Sequence, residues 1–168
     1  MDEIVNRVKE SGLISMDLAT FKPKAEIVSI DVADVLWQRL VLKEKDFRSW
    51  ITSHDWTVYK NKAVYVHCSE DAIVPTWAYM LIGSQLGENT PDYIIGSKID
   101  LEKRLIQKRI ESEPLDAYID GRIIIKGCAD ISSPEFAMSE LVRHLQPVVK
   151  SIMYGEPCST VPVYKRKK

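Results

Sequence analysis

A mixed α/β domain with a mostly parallel sheet is the fold class this sequence predicts, and three observations carry that expectation. From Leu40 onward, short β-branched runs alternate with amphipathic helical stretches, the order expected of β–α units. The segment Arg122–Lys126 holds three isoleucines in succession, which fits a strand covered on both faces. A strand–Cys–loop–Pro–helix unit also occurs twice, over residues 59–86 and 118–145, and reads as an internal duplication. Tyr59, Cys68, Pro75, Trp77 and Ala78 match Tyr118, Cys128, Pro134, Phe136 and Ala137, with one-residue adjustments on either side of the cysteine.

Taken in order, Asp2 to Glu10 reads as a short helix, with Ile4, Val5 and Val8 on one face and Gly12 as its stop. Ile14 to Leu18 and Ile27 to Val32 alternate apolar and polar residues and read as strands. These N-terminal strands can extend the sheet as an antiparallel edge. Arg39 to Leu42 reads as a further strand. Lys45 to His54 has helical spacing through Phe47, Trp50 and Ile51. Ala63 to Cys68 is the first cysteine strand. The helix that Pro75 opens runs to about Leu86, with Gly87 just past its end, where a left-handed residue suits a stop. Asp92 to Ile95 is a short strand, and Asp100 is the expected N-cap of a helix over Leu101 to Ile110. The second cysteine strand leads into the Pro134 helix. Pro147 divides that helix from a continuation over Val148 to Tyr154, and Gly155 ends it. The cysteine loop 155–162 contains Pro157 and Pro162 and fits neither a helix nor a central strand.

The chain has 168 residues, which fits one domain spanning 1–168. Apolar residues make up 45% and charged residues 28%, with a formal net charge of -1. That balance gives no support to nucleic-acid binding, and the basic run Lys165 to Lys168 reads as a solvated tail. The opening MDEIVNRVKE has no basic region followed by an apolar one, and no apolar run reaches the roughly 20 residues needed to span a bilayer. The expectation is a cytoplasmic protein with reduced thiols and no membrane association. Neither a G-x-x-x-x-G-K nor a G-x-G-x-x-G pattern occurs, so no nucleotide cofactor is expected.

The chemistry-bearing residues are the three cysteines. Cys68 and Cys128 each follow a strand and precede a helix, at the edge of a parallel sheet where ligands gather. If their strands are neighbours, roughly 5 Å apart, the two thiols can share one ion. Cys158 sits in a Gly-Glu-Pro-Cys turn, and the sequence does not decide whether that turn returns to the site. Thiolates suit zinc or iron, with Glu156, Asp71, Asp130 and His67 as candidates for a fourth ligand and Glu156 preferred. His67 is the weaker choice because neighbours on a strand point to opposite faces. The metal site read from the sequence is therefore Cys68, Cys128, Cys158 and Glu156. Two alternatives stand beside it. A reactive thiol would need a base, and neither His54 nor His144 pairs recognisably with a cysteine. A binding or adaptor domain for a protein partner would use the cysteines as small buried hydrophobes.

The segments CSEDAIVPTWAYML, IIIKGC and KSIMYGEPCSTVP, together with the opening EIVNRVKESGLISMDL, resemble those of the bacterial family called domain of unknown function 2480. The resemblance covers nearly the whole chain. It implies no particular activity, and an association with iron–sulfur assembly genes adds some weight to metal or sulfur chemistry.

The remaining features have ordinary explanations. Carboxylates beside both cysteines complement helix N-termini. Trp77, Phe136, Met80 and Met138 are read as core residues. His144 is read as a partly buried, hydrogen-bonded histidine. Trp50 and Trp56 around His54 are read as the packed end of a helix.

Overall fold

The computed structural model describes residues 12–127, 131–156 and 158–167. Among them are seven strands and four α-helices, forming mixed α/β architecture with mostly parallel sheets. The chain divides into two compact units. The inserted unit is Lys24–Leu105, and it interrupts the split unit, which comprises Met1–Pro23 and Ile106–Lys168.

In the inserted unit, β2 (Glu26–Asp31), β3 (Lys62–His67) and β4 (Tyr93–Ile95) form a parallel sheet in chain order. Helices α1 (Glu44–Ser53) and α2 (Thr76–Asn89) make the two crossovers. Ile30, Val64 and Val66 pack with Phe47 of α1 and with the Ala78, Ile82 and Leu86 stripe of α2. The opposite sheet face carries Ile27, Ala63, Tyr65 and Ile94, packed with Leu101 and Leu105 of α3 (Lys98–Glu111).

In the split unit, β1 (Leu13–Asp17), β5 (Arg122–Lys126) and β6 (Ser151–Glu156) are parallel, and β7 (Ser159–Lys165) closes the sheet antiparallel to β6. All three isoleucines of β5 are buried, as a strand covered on both faces requires. The α4 helix (Pro134–Leu145) repeats the spacing of α2, setting Ala137, Leu141 and Leu145 onto Ile123, Ile125 and Ile152. Ile106 and Ile110 of α3 join this core. The break after α3 is held at Glu113: the Tyr118 hydroxyl donates to its carboxylate at 2.6 Å, and His144 bonds its carbonyl at 2.9 Å. Burial first, and then Glu113, push the Tyr118 phenol up to about 12.

Several expectations are corrected. The N-terminal strands are parallel to their neighbours, and the antiparallel edge is C-terminal. The strands that precede Cys68 and Cys128 are not neighbours, because β3 and β5 belong to different sheets. Residues 39–42 are not a strand: 38–40 form a tight turn, with Gln38 and Arg39 both at positive φ, and Val41 makes only isolated bridges. Val148 to Tyr154 is not a helix: Pro147 ends α4's turn, and Ser151 onward pairs with β5. Helix α2 runs through Gly87 to Asn89, because Gly83 and Gly87 form a seat for the Tyr93 ring. It stops at Thr90, whose hydroxyl donates to the Lys62 carbonyl. Helix α3 begins one turn before Leu101, with Ser97 and Asp100 bonding reciprocally across its first turn. The predicted helix over Asp2 to Glu10 lies outside the described residues.

The two predicted copies share an order of elements: a 3-10 turn ending on Tyr59 or Tyr118, a positive-φ residue, a strand, a loop and a helix. The likeness is one of order, and the split unit differs by its fourth, antiparallel strand.

Gly155 is a tight backbone position in β6. Its φ is +118°, and a Cβ there would sit 2.5 Å from the Ser159 carbonyl oxygen. We expect Gly155→Ala to cost about 1–3 kcal/mol in urea unfolding. Gly12→Ala, where a Cβ meets nothing within 4 Å, should cost less.

Candidate functional site

Parallel strands end on the same side, so the loops after β2 and β3 meet at the carboxyl edge of the inserted unit. Asp31 is the last residue of β2. Its Oδ1 accepts from the Ala33 N–H at 3.0 Å, capping a 3-10 turn over Val32–Val35, and from the Ser69 N–H at 3.0 Å in the loop after β3. Burial opposes the Asp31 charge, but hydrogen bonds from Ser69 and Ala33, with the nearby His67, hold its carboxyl below the usual range.

Arg39 stands over this junction. Its guanidinium lies 2.5 Å from Asp34, 2.9 Å from Glu70 and 3.7 Å from Asp31, and it donates to Ser69 Oγ at 3.0 Å. The turn that aims it has Gln38 and Arg39 in the left-handed region, with Leu40 N–H donating to the Trp37 carbonyl at 3.1 Å. Each ion pair is partly exposed and weak by itself, so the group acts as a network that joins two loops.

Cys68 follows β3 and is half-buried on the α1/α2 side, packed with the core that holds Val64 and Val66. Its thiol donates to the Glu70 carbonyl at 3.4 Å. His67 takes the other face, stacked on Tyr65 with centroids 5.2 Å apart, as strand alternation predicts. Burial first, and then Cys68 and Asp31, push the Tyr79 phenol up. The other histidines are engaged elsewhere: His54 bonds Tyr59, and His144 bonds the Glu113 carbonyl.

The carboxyl edge of the split unit repeats part of this arrangement. Asp17 ends β1 and caps the 3-10 turn Leu18–Phe21 through Ala19. Its Oδ1 would lie 2.8 Å from a Cβ at Gly127, so the φ of +90° and the missing side chain are both needed there. Glu156 is the exposed last residue of β6, and Cys158 is exposed in the turn to β7. Cys128 and Asp130 lie outside the described residues. Cys68 thus belongs to the inserted unit, and Glu156 and Cys158 to the split unit. Among the described residues, no group of three His, Cys, Asp or Glu side chains is placed to hold a metal ion.

Beside that edge the split unit has a groove of about 520 Å³. Met138 and Val142 of α4 form one wall, Ile152 and Tyr154 of β6 the floor, and Val161 and Val163 of β7 the other wall. Gly127 and Glu135 are also part of its lining.

Other expectations resolve simply. Trp77 packs edge-on to Phe47 at 5.9 Å, and Met138 packs against the split-unit core. Met80 is not a core residue but 70% exposed, because the α2 stripe that faces the sheet is Ala78, Ile82 and Leu86. Trp50, His54, Trp56 and Tyr59 form the aromatic cluster expected after α1.

The reading of the sequence missed Asp31, Arg39 and the groove. A signal existed for Asp31: Ile14-Ser-Met-Asp17-Leu-Ala19 and Val28-Ser-Ile-Asp31-Val-Ala33 share a pattern, and in both the Asp caps a 3-10 turn.

Since its folded pKa is depressed, Asp31 contributes stability that is present above its unfolded pKa of about 3.9 and lost as pH falls through the folded value. The stability gap between the wild type and Asp31→Asn, read from urea unfolding between neutral and strongly acidic pH, should therefore narrow below about pH 4. A gap that does not change with pH would remove the charge from this role.

No curated protein and no solved structure matches the chain. Among the described residues, no helix is long and apolar enough to cross a membrane. A family profile matches residues 2–166, leaving only the first residue and the last two uncovered. The chain belongs to the family described as "Protein of unknown function (DUF2480)".

Proposed function

We propose that this protein is a binding domain whose split unit receives an apolar group in the groove between α4 and the β6–β7 hairpin. The observation that carries the reading is the groove itself. Its volume falls in the range of about 300–1,000 Å³ typical of ligand sites. Its walls are aliphatic, and Val161 remains 62% exposed at the rim. Met138 supplies an adaptable side chain to the wall. The expected experiment is a titration of the full chain with the neutral dye Nile red. One saturable site should appear, weakened at least tenfold by the paired substitutions Val161→Asn and Val163→Asn. Both side chains are exposed, so the variant should stay folded. Absence of saturable binding, or binding that the variant leaves unchanged, would overturn the reading.

A second reading keeps the thiolate metal site in a narrower form. What supports it is the adjacency of β5 and β6. In the chain, Cys128 comes next after Gly127 at the end of β5, while Glu156 ends β6 and Cys158 sits in the following turn. Both strands run parallel, so both ends lie at one edge of one sheet. Zinc or iron bound there would contribute its ligand energy to folding. Elemental analysis of anaerobically purified protein should then give stoichiometric metal, with Cys158→Ser lowering metal content and melting temperature together. Metal-free, fully folded wild type would exclude this reading.

A further inference from the structure

The inserted unit exposes a row of apolar side chains. Trp37 and Val41 are antiparallel bridge partners, and Val41 is in turn the parallel bridge partner of Ile73. Bridge partners project their side chains to the same face, so Trp37, Val41 and Ile73 form one row across this small three-segment ladder. Trp37 and Val41 are half exposed, and Ile73 is 91% exposed. A fully solvated isoleucine at the centre of a loop, beside a half-exposed tryptophan, does nothing for the core of this unit. Contiguous exposed apolar surface of this kind marks an interaction site.

The ladder is rigidly placed. Trp37 and Val41 exchange backbone hydrogen bonds of 2.9 and 3.2 Å. The Arg39 turn ties the same loop to Asp31, Asp34, Ser69 and Glu70. The ordering cost of presenting these three side chains is therefore met within the free protein, which favours binding.

The charge around the row selects its occupant. Loops 31–43 and 68–74 carry the exposed carboxylates Asp34, Glu70 and Asp71, with the mostly covered Asp31 beneath them. Against them stand only Arg39, already shared among three of these carboxylates, and Lys43, whose ammonium lies 4.2 Å above the Trp37 ring. The surface is thus apolar in the middle and acidic in surplus at its rim. A second copy of this chain, seated face to face, would double that surplus and be repelled. A segment with apolar side chains and Lys or Arg meets both features.

From this geometry we infer that the Trp37–Val41–Ile73 row docks a segment of a partner protein that combines apolar with basic side chains. The inference is independent of the groove in the split unit.

The test uses the full chain and two labelled synthetic peptides of equal length, followed by fluorescence anisotropy. One peptide alternates leucine with lysine, and the other alternates leucine with glutamate. The leucine–lysine peptide should bind saturably and at least tenfold more tightly than its acidic counterpart, and more weakly as salt is raised. Ile73→Ser should weaken it at least tenfold, and Asp71→Lys should erase most of the preference between the peptides. Both positions are exposed, so both variants should fold normally. Val161→Asn with Val163→Asn should leave this binding unchanged. Equal binding of the two peptides, or indifference to Ile73→Ser, would overturn the proposal. So would wild-type self-association in sedimentation that Ile73→Ser abolishes, because the second copy would then be the occupant.

Discussion

The carboxylate of Asp31 is the tie on which the carboxyl edge of the inserted unit depends. It lies at the end of one parallel strand and accepts an N–H from its own turn and another from the loop after the next strand. A parallel ladder stops at the last paired residues, and the loops beyond it have no backbone partners of their own. Asp31 supplies one such partner to each loop. Arg39 can then bridge the same two loops, and the bridge between Val41 and Ile73 forms beyond them. The apolar row on this edge is therefore a consequence of polar interactions beneath it.

The same device appears at the end of β1, where Asp17 caps its turn and lies against Gly127. There the neighbouring position, Gly127, has no side chain. The two units use one construction, with a parallel pair, an aspartate cap and a helix bearing an alanine–aliphatic stripe. They differ in how much of each sheet is covered. In the inserted unit α1 and α2 together cover one face. In the split unit α4 packs on Ile123, Ile125 and Ile152, while β7 adds a fourth strand beyond the reach of that stripe. The groove is the space that this extra strand leaves beside α4.

Legibility followed the range of the interactions. Strand β5 was readable to the residue because three β-branched side chains in a row demand a doubly covered strand. Helices α1 and α4 were readable from apolar spacing, and Pro134 from its place in the first turn. The end of α2 was not, because glycine stops a helix on local grounds. Here Tyr93 packs against Gly83 and Gly87 and holds the helix through both. Strand β6 was misread because Ser151 to Tyr154 is too short an apolar run for periodicity to separate strand from helix. Pairing with β5 decided it.

The sequence by itself determined the α/β class, the parallel β–α order and the family, since each rests on spacing and motifs along the chain. It also placed His67 and Cys68 on opposite faces, because alternation in a strand is a local rule. Only the tertiary structure decided which strands are neighbours. That choice separated β3 from β5, put β1 and β2 parallel to their partners, and brought Asp31, Arg39 and Glu70 together across more than thirty residues. Pairing and ion-pair partners are set by burial and backbone hydrogen bonding between distant segments, and no periodicity within either segment records them.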